Sequence, residues 1–355
     1  MHQRRGRSTS GLVLSVLVVA VTQIIDTPAG LAGTKTTSVF DEPVAIAASG
    51  GYVWVANVGG NSVTELNAAS GKMVRVVDAN ADGITTPVAL TVTGTNVWIV
   101  NDGVRGSRTG TGSLTELSAA NGSLVSVVSD QLDNPSAATA NGSNIWITNQ
   151  HRSANDGSVT VLSSSSGAVS RNLHSASDDF DGPVAIVARG DDVWVASSGG
   201  NNAEGSGKDQ GSVTELNSLT GAVVRVIGTN AAQFDVPTAM VLSGPDLWVA
   251  NLYFSSIVEL NAATGTLVRF ITSTSLNQPV SLAVCGSDVW AANYFGSTVT
   301  EFSRSSGKVV RVIGSWFKQP GGIACSSGHV WVTNGPSDSV TELNASDGSL
   351  VRIIK

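Results

Sequence analysis

The stretch Pro43-Val-Ala-Ile-Ala-Ala-Ser-Gly-Gly-Tyr-Val-Trp54 decides the fold, because its plan returns six more times along the chain. Each copy has a Pro followed by a Trp eleven positions later. The seven pairs are Pro43/Trp54, Pro87/Trp98, Pro135/Trp146, Pro183/Trp194, Pro237/Trp248, Pro279/Trp290 and Pro320/Trp331. Successive Trp residues are 41 to 54 positions apart. Internal repeats of that length are typical of propeller blades and are too long for the turns of a β-helix.

The first copy contains four short runs rich in β-branched residues, which predict strands a to d. They are residues 44–48, 52–57, 62–67 and 73–77, and turns containing Gly, Ser and Asn separate them. Strand b is apolar throughout, which indicates burial on both faces. The sequence therefore predicts an all-β, seven-bladed β-propeller with four antiparallel strands per blade. Its span is 43–355, with blades starting near residues 43, 87, 135, 183, 237, 279 and 320.

Neither end of the array carries a polar capping repeat, so a closed ring is expected rather than an open stack. Closure is predicted to rely on packing of blade 1 against blade 7, with residues 36–40 as a candidate additional strand. The seven repeated Trp side chains are expected to fill the spaces between blades.

Strand c carries a Glu and strand d an Arg ten residues later in five copies. In a hairpin this spacing places the two side chains opposite each other, which predicts cross-strand ion pairs rather than catalytic carboxylates. The pairs are Glu65/Arg75, Glu215/Arg225, Glu259/Arg269, Glu301/Arg311 and Glu342/Arg352.

The two cysteines, Cys285 and Cys325, lie six and five residues after the Pro of their blades. Their opposite parity directs them to opposite faces of their strands, and neighbouring blades meet front to back. A disulfide between blades 6 and 7 is one interpretation, and two buried thiols are the other.

Residues 1–32 predict a secretory signal: Arg4, Arg5 and Arg7 precede an apolar run over 11–25, and small residues follow. An uncleaved membrane anchor is the alternative, and residues 33–42 form a lead-in. Without residues 1–32 the chain has 17 basic and 26 acidic residues, a net charge of about −9. We therefore expect a secreted or extracytoplasmic monomer, without nucleic acid as partner because phosphate binding depends on Lys and Arg.

The alternation of strand direction places the b-to-c and d-to-a loops on one face of the ring, which we call the loop-rich face. The opposite turn face carries only short a-to-b and c-to-d turns, and Arg189-Gly190-Asp191 is interpreted as one of them. Variable loops on a rigid scaffold favour ligand binding. The candidate ligand-binding residues there are Arg105, Arg108, His151, Arg152, Lys208, Tyr253, Phe254, Tyr294, Phe295, Trp316 and Phe317. The alternative is that the aromatic side chains fold back and cap the blades.

The first d-to-a loop begins with Asp78 and contains Asn80, Asp82 and Gly83, the opening pattern of a calcium loop. Position twelve is Ala89 rather than Glu, which excludes an EF-hand. A Ca²⁺ site and an ordinary turn both fit this sequence, and Asp178, Asp179 and Asp181 form a weaker candidate in another loop.

The segments Tyr52-Val-Trp-Val-Ala-Asn57 and Leu260-Asn-Ala-Ala-Thr-Gly265 resemble YVTN and NHL-type propeller repeats, and the resemblance covers 43–355. It implies an extracytoplasmic binding or scaffold protein for a peptide, glycan or protein partner, with no catalytic residue assigned. Similar repeats occur in streptogramin lyases, which implies a metal-assisted lyase or hydrolase as the alternative. For that reaction Asp78, Asp82, His151 and His174 are the candidate residues, although no His lies two residues from a Glu as the lyase pattern requires.

Overall fold

The computed structural model describes residues 39–78, 83–103, 112–150, 157–174, 180–199, 211–228 and 232–355. These residues form seven four-stranded antiparallel sheets, each built from consecutive strands. The predicted all-β, seven-bladed β-propeller is therefore confirmed. Within the described ranges, none of the helical segments has the length and apolar character to cross a membrane.

The first strand of every sheet begins at the Pro of its repeat. Blade 1 contains β1 (Pro43–Ser49), β2 (Tyr52–Asn57), β3 (Ser62–Asn67) and β4 (Met73–Asp78). Blade 2 contains β5 (Pro87–Thr93), β6 (Asn96–Asn101), β7 (Ser113–Ser118) and β8 (Leu124–Val128). Blade 3 contains β9 (Pro135–Asn141), β10 (Asn144–Asn149), β11 (Ser158–Ser163) and β12 (Val169–Leu173).

The remaining blades repeat the same order. Blade 4 contains β13 (Pro183–Arg189), β14 (Asp192–Ser197), β15 (Ser212–Asn217) and β16 (Val223–Gly228). Blade 5 contains β17 (Pro237–Ser243), β18 (Asp246–Asn251), β19 (Ser256–Asn261) and β20 (Leu267–Thr272). Blade 6 contains β21 (Pro279–Cys285), β22 (Asp288–Asn293), β23 (Thr298–Ser303) and β24 (Val309–Ile313). Blade 7 contains β25 (Pro320–Ser326), β26 (His329–Asn334), β27 (Ser339–Asn344) and β28 (Leu350–Ile354), with a 3₁₀ turn over Gly335–Ser337.

The repeated Trp of each blade lies between that blade and the next. Trp54 is fully buried in one apolar cluster with Val97 and Ile99 of blade 2. The same arrangement recurs around the ring, and Trp331 of blade 7 packs with Val53 and Val55 of blade 1. The Trp prediction is confirmed, and this last contact closes the ring between two sheets that, among the described strands, are each built from consecutive strands.

The predicted Glu–Arg pairs are present in all five blades. Their Nε–Oε2 distances are 2.9 Å for Glu65/Arg75, 2.6 Å for Glu215/Arg225, 2.7 Å for Glu259/Arg269, 2.6 Å for Glu301/Arg311 and 2.6 Å for Glu342/Arg352. Each Arg also donates through Nη2 to a carbonyl in the c-to-d turn of the next blade. The acceptors are Ala120, Ala263, Ser305, Ser346 and, from Arg352 back to blade 1, Ala69. The strand-d Arg thus links two strands of its own blade and also connects that blade to the next one.

The c-to-d turn must leave room for that guanidinium group. Gly71 has a φ of +66°, and a Cβ there would lie 2.6 Å from Cδ of Arg352. Glycine suits this position for two reasons: it adopts positive φ without a steric penalty, and it has no Cβ that would clash with the Arg352 side chain.

The junction of blades 7 and 1 is closely packed along the innermost strands. Gly321 and Gly322 stand where blade 1 has Val44 and Ala45, and a Cβ on either Gly would lie 3.0 Å from the carbonyl oxygen of Val44. The hydroxyl of Thr333 donates to the same oxygen at 3.4 Å. Val39 and Phe40 form no strand, and the rest of the candidate strand over 36–40 lies outside the described residues.

Blades 6 and 7 are also joined covalently, because Cys285 and Cys325 form a disulfide with their Cα atoms 5.5 Å apart. The bond links the last residue of β21 to the penultimate residue of β25. Of the two interpretations of these cysteines, the structure contains the interblade disulfide.

A second carboxyl group lies beside the buried Glu in three blades. Asp192, Asp246 and Asp288 begin strand b and hydrogen-bond Glu215, Glu259 and Glu301. Burial, followed by the neighbouring Asp, raises the pKa of each Glu to about 7, while the paired Arg opposes the shift. Blade 2 has Asn96 at this position, which donates to Glu116 Oε1 at 2.6 Å.

The Arg side chain is expected to matter more to stability than the Glu it neutralises. In blade 1, Arg75→Met leaves Glu65 buried without its cation and should destabilise the fold by about 3 kcal/mol. Glu65→Val should cost less than about 1 kcal/mol, because blade 3 already combines a buried Val161 with Arg171. Chemical denaturation of the two variants measures the difference, and equal losses would contradict this account.

The Asp–Glu pairs predict a stability that decreases as pH rises from about 4.5 to 7. Over that interval the folded chain holds protons on Glu215, Glu259 and Glu301 that the unfolded chain has released, so ionisation favours unfolding. Replacing the partner Asp192, Asp246 and Asp288 with Asn, the residue of blade 2, should flatten this dependence and raise stability at pH 8. Thermal denaturation at pH 5 and pH 8 is the measurement. Asp191→Asn, on an exposed turn, is the control, and an unchanged slope in the triple variant would refute the prediction.

Candidate functional site

Four blades end strand b in the same four-residue turn on the loop-rich face. These b-to-c turns occupy residues 58–61, 252–255, 294–297 and 335–338 of blades 1, 5, 6 and 7. The corresponding loops of blades 2, 3 and 4 include residues 104–111, 151–156 and 200–210. The candidate residues Arg105, Arg108, His151, Arg152 and Lys208 therefore lie outside the described residues, and their role remains a prediction.

The fourth residue of each turn connects its blade to the next one. Asn61, Ser255, Ser297 and Asp338 all have positive φ, between 43° and 48°. Their side-chain oxygens accept the N–H of the residue that precedes the Pro of the following blade, at 2.7 to 3.2 Å. The Asp338 bond to Glu42 N–H joins blade 7 to blade 1. We call this contact the turn clasp.

The residue before each Pro is left-handed in all seven blades. Six of the seven are not glycine, and the β-branched Thr86 and Val236 have φ values of 52° and 53°. This conformation is strained for such residues. In blade 2 the residue is hydrogen-bonded on both sides, because the N–H of Thr86 donates to Asn61 in the clasp and the Thr86 carbonyl accepts the N–H of Asp102 at 3.1 Å. In blade 5 the carbonyl of Val236 likewise accepts the N–H of Leu252 at 3.1 Å.

The buried Asn at the end of strand b connects the d-to-a segment to the sheet. Asn57 Nδ2 donates to the hydroxyls of Ser62 and Thr64 at 3.1 and 2.9 Å, and Thr64 donates onward to the carbonyl of Val39 at 2.7 Å. Equivalent amides in blades 2, 3, 6 and 7 also donate to the Thr of strand c. These amides therefore have a structural role.

The candidate aromatic residues divide into two groups. Tyr253, Phe254 and Phe295 are 56%, 51% and 51% exposed, whereas Tyr294 and Phe317 are buried. Trp316 is half-buried and packs against the cluster of blades 6 and 7. Three of the candidate rings are thus exposed, and their contact with a ligand stays a prediction, while the capping interpretation describes Tyr294, Phe317 and Trp316. Residue type alone does not distinguish the two kinds of ring, because both occupy loops.

Each turn has separate structural and exposed positions. The first residue is buried when it has a side chain, as in Val58, Leu252 and Tyr294, and the fourth forms the clasp. The second and third positions vary from Gly59-Gly60 to Tyr253-Phe254. The turn therefore folds without rings at these two positions.

Two titratable groups lie beneath the exposed rings. The carboxylate of Asp235 accepts the backbone N–H of Phe254, and burial raises the pKa of Asp235 despite that bond. Burial also raises the pKa of Tyr294. The ring of Phe295 meets that of Tyr294 edge to face, with centroids 5.3 Å apart and planes at 84°.

The calcium prediction is only partly within the described residues. Asp78 is the exposed last residue of β4, while Asn80 and Asp82 lie outside the described residues, as do Asp178 and Asp179. Among the described residues, no three His, Cys, Asp or Glu side chains converge as a metal site would require. The Ca²⁺ site remains a prediction.

The turn face carries features that resemble functional ones but have structural partners. His329 Nδ1 lies 2.9 Å from Glu342 Oε1, so this His belongs to the blade 7 ion pair. In the Arg189-Gly190-Asp191 turn, the guanidinium group donates to the carbonyl of Gly244 in blade 5. His174, by contrast, follows β12 on the loop-rich face, where it is exposed.

The chain matches no protein-family model, and no curated protein is similar to it in sequence. Solved structures do match it in fold. Hydrazine synthase from Kuenenia stuttgartiensis is 16% identical, with a TM-score of 0.69 over 89% of this chain and 99% of that chain. A streptogramin B lyase is 17% identical, with a TM-score of 0.68 over 86% and 94% of the two chains.

A catalytically inactive virginiamycin B lyase from Staphylococcus aureus, solved with quinupristin, is 16% identical. Its TM-score is 0.68 over 86% of this chain and 96% of that chain. At such identities the similarity extends to architecture alone. The chain therefore shares the β-propeller fold of these proteins.

Proposed function

We propose that the chain is an exported, non-enzymatic binding or scaffold protein whose loop-rich face holds a peptide, glycan or protein partner. The observation that carries this proposal is the exposure of Tyr253, Phe254 and Phe295. Large exposed apolar groups are unfavourable in water, and clusters of them commonly mark interaction sites.

The equivalent turns of other blades support a functional origin for these rings. Blade 1 has Gly59-Gly60 and blade 7 has Pro336-Ser337 where blade 5 has Tyr253-Phe254. All three turns use the same clasp to the next blade. Since folding does not require the rings, a ligand is the simplest reason for their presence.

Export is supported by the predicted signal over residues 1–32 and by the disulfide between Cys285 and Cys325. Disulfides persist mainly in oxidising compartments, such as the extracytoplasmic space. A binding protein outside the cytoplasm would meet secreted polymers, envelope components and other exported proteins.

The binding proposal predicts that the immobilised chain retains a component of envelope extract or culture medium. The double change Tyr253→Gly and Phe254→Gly reproduces the turn of blade 1 and should abolish retention without unfolding the chain. Tyr52→Asn removes an exposed ring from the turn face, matches Asn96 of blade 2, and should leave retention unchanged. Mass spectrometry of the eluates measures both, and identical eluates from all three proteins would contradict the proposal.

The second candidate function is a metal-assisted lyase or hydrolase, which the fold similarity to streptogramin B lyase favours. The candidate residues Asp78, Asp82, His151 and His174 would have to converge at the ring mouth. Incubation of the chain with quinupristin and Mg²⁺ tests this candidate. A ring-opening elimination gives a product of altered chromatographic retention and unchanged mass, and we expect no such product if the binding proposal is correct.

A further inference from the structure

We propose that the exposed rings of Tyr253, Phe254 and Phe295, here called the aromatic platform, bind a neutral oligosaccharide. This inference rests on the proposed binding function and specifies its ligand class. The platform occupies the second and third positions of the b-to-c turn of blade 5 and the second position of the b-to-c turn of blade 6, and these two blades are neighbours in the ring.

The platform is held in place before any ligand arrives. The edge-to-face contact with the buried Tyr294 orients the Phe295 ring, and the Gly296 N–H donates to the carbonyl of Asn277 at 3.3 Å. In blade 5, the N–H of Phe254 is bound by Asp235 and the Ser255 hydroxyl accepts the N–H of Gln278. A rigid surface loses little conformational entropy on binding, so weak stacking contacts can produce measurable affinity.

The surroundings of the platform, so far as the structure describes them, are polar and carry little charge, and residues 200–210 and 229–231 lie outside the described residues. The described stretches around it are 232–236, 252–255, 273–278, 294–297 and 314–319, and their charged residues are Asp235 and Lys318. The carboxyl group of Asp235 accepts a hydrogen bond from the backbone N–H of Phe254, and burial raises the pKa of Asp235. The exposed Asn277 and the half-buried Gln278 and Gln319 supply amide donors and acceptors instead.

These properties match the chemistry of a neutral sugar. A pyranose has an apolar C–H face that stacks on an aromatic ring, and its hydroxyl groups pair with side-chain amides. Recognition of an anionic polymer or a charged peptide relies on several opposite charges, whereas these stretches offer one exposed cation, Lys318, and one carboxyl group that is bound to the backbone of Phe254.

The extent of the platform within the described residues also favours a narrow ligand over a protein surface. Toward blade 7 the equivalent positions are Pro336 and Ser337, so the apolar surface ends with blade 6 on that side. A stable protein interface buries about 800 Å² on each partner around an apolar core. Two adjacent turns suit a few sugar units better.

Titration calorimetry of the full chain with cellohexaose, chitohexaose and xylohexaose tests the inference, with an oligogalacturonate as the charged probe. We expect at least one neutral hexasaccharide to bind and the oligogalacturonate to bind more weakly or not at all. The Tyr253→Gly/Phe254→Gly double variant and Phe295→Gly should each weaken binding at least tenfold. Tyr52→Asn should bind as the unmodified chain does, and circular dichroism verifies that every variant is folded.

Failure of this inference is distinguishable from failure of the proposed function. If no neutral hexasaccharide binds while the chain retains an envelope protein through the same rings, the saccharide assignment is overturned and the binding function stands. If a hexasaccharide binds equally to all variants, the platform is not its site and the inference is overturned. If neither saccharide nor any envelope component is retained, both proposals fall.

Discussion

The contact between neighbouring blades is the interaction on which the rest of the structure depends. A single four-stranded sheet leaves the Trp of strand b without a covering surface, and the next blade supplies it, as blade 2 does for Trp54. Burial of one such ring contributes up to about 5 kcal/mol. Because Trp331 needs blade 1 in the same way, the array is complete only as a closed ring.

Polar groups give this apolar contact a fixed register at two levels. Near the outer edge, each paired Arg neutralises its own Glu and reaches a carbonyl of the next blade. On the loop-rich face, the turn clasp links the fourth turn residue to the strained residue before the next Pro. Both contacts recur between blades 7 and 1, through Arg352 with Ala69 and Asp338 with Glu42. The closing junction therefore has the same polar contacts as the other junctions. In addition, Gly321 and Gly322 allow the backbone of blade 7 to pack closely against the carbonyl oxygen of Val44 in blade 1.

The sequence predicted what depends on spacing and missed what depends on conformation. The eleven-residue Pro–Trp interval gave the blades, and the ten-residue Glu–Arg interval gave the ion pairs, because strand geometry converts these spacings directly into positions. The left-handed residue before each Pro left no such signal, since Glu42, Thr86 and Val236 share no side-chain property. The Asp–Glu pairs could have been found, because Asp192, Asp246 and Asp288 begin strand b two residues before the Trp that faces the Glu. Tyr294 and Phe295 are adjacent in one turn, yet one is buried and the other exposed, a difference that residue type could not reveal.

Each four-residue b-to-c turn separates structural positions from exposed ones, so one turn can hold the next blade and also present side chains to solvent. Its first residue is buried beneath the turn, and its fourth residue hydrogen-bonds the next blade. Substitutions at these two positions are therefore expected to lower the stability of the fold. The second and third positions have neither duty, as Gly59 and Gly60 demonstrate. In blade 5 these positions carry the exposed rings of Tyr253 and Phe254, whereas in blade 1 a Cβ on Gly59 would lie 2.6 Å from Asp41 Oδ1. The clasps hold both turns in fixed positions around the ring. The exposed side chains of such turns are thus held by contacts made elsewhere in the turn, so equivalent positions of a repetitive fold can present different side chains on the same rigid support.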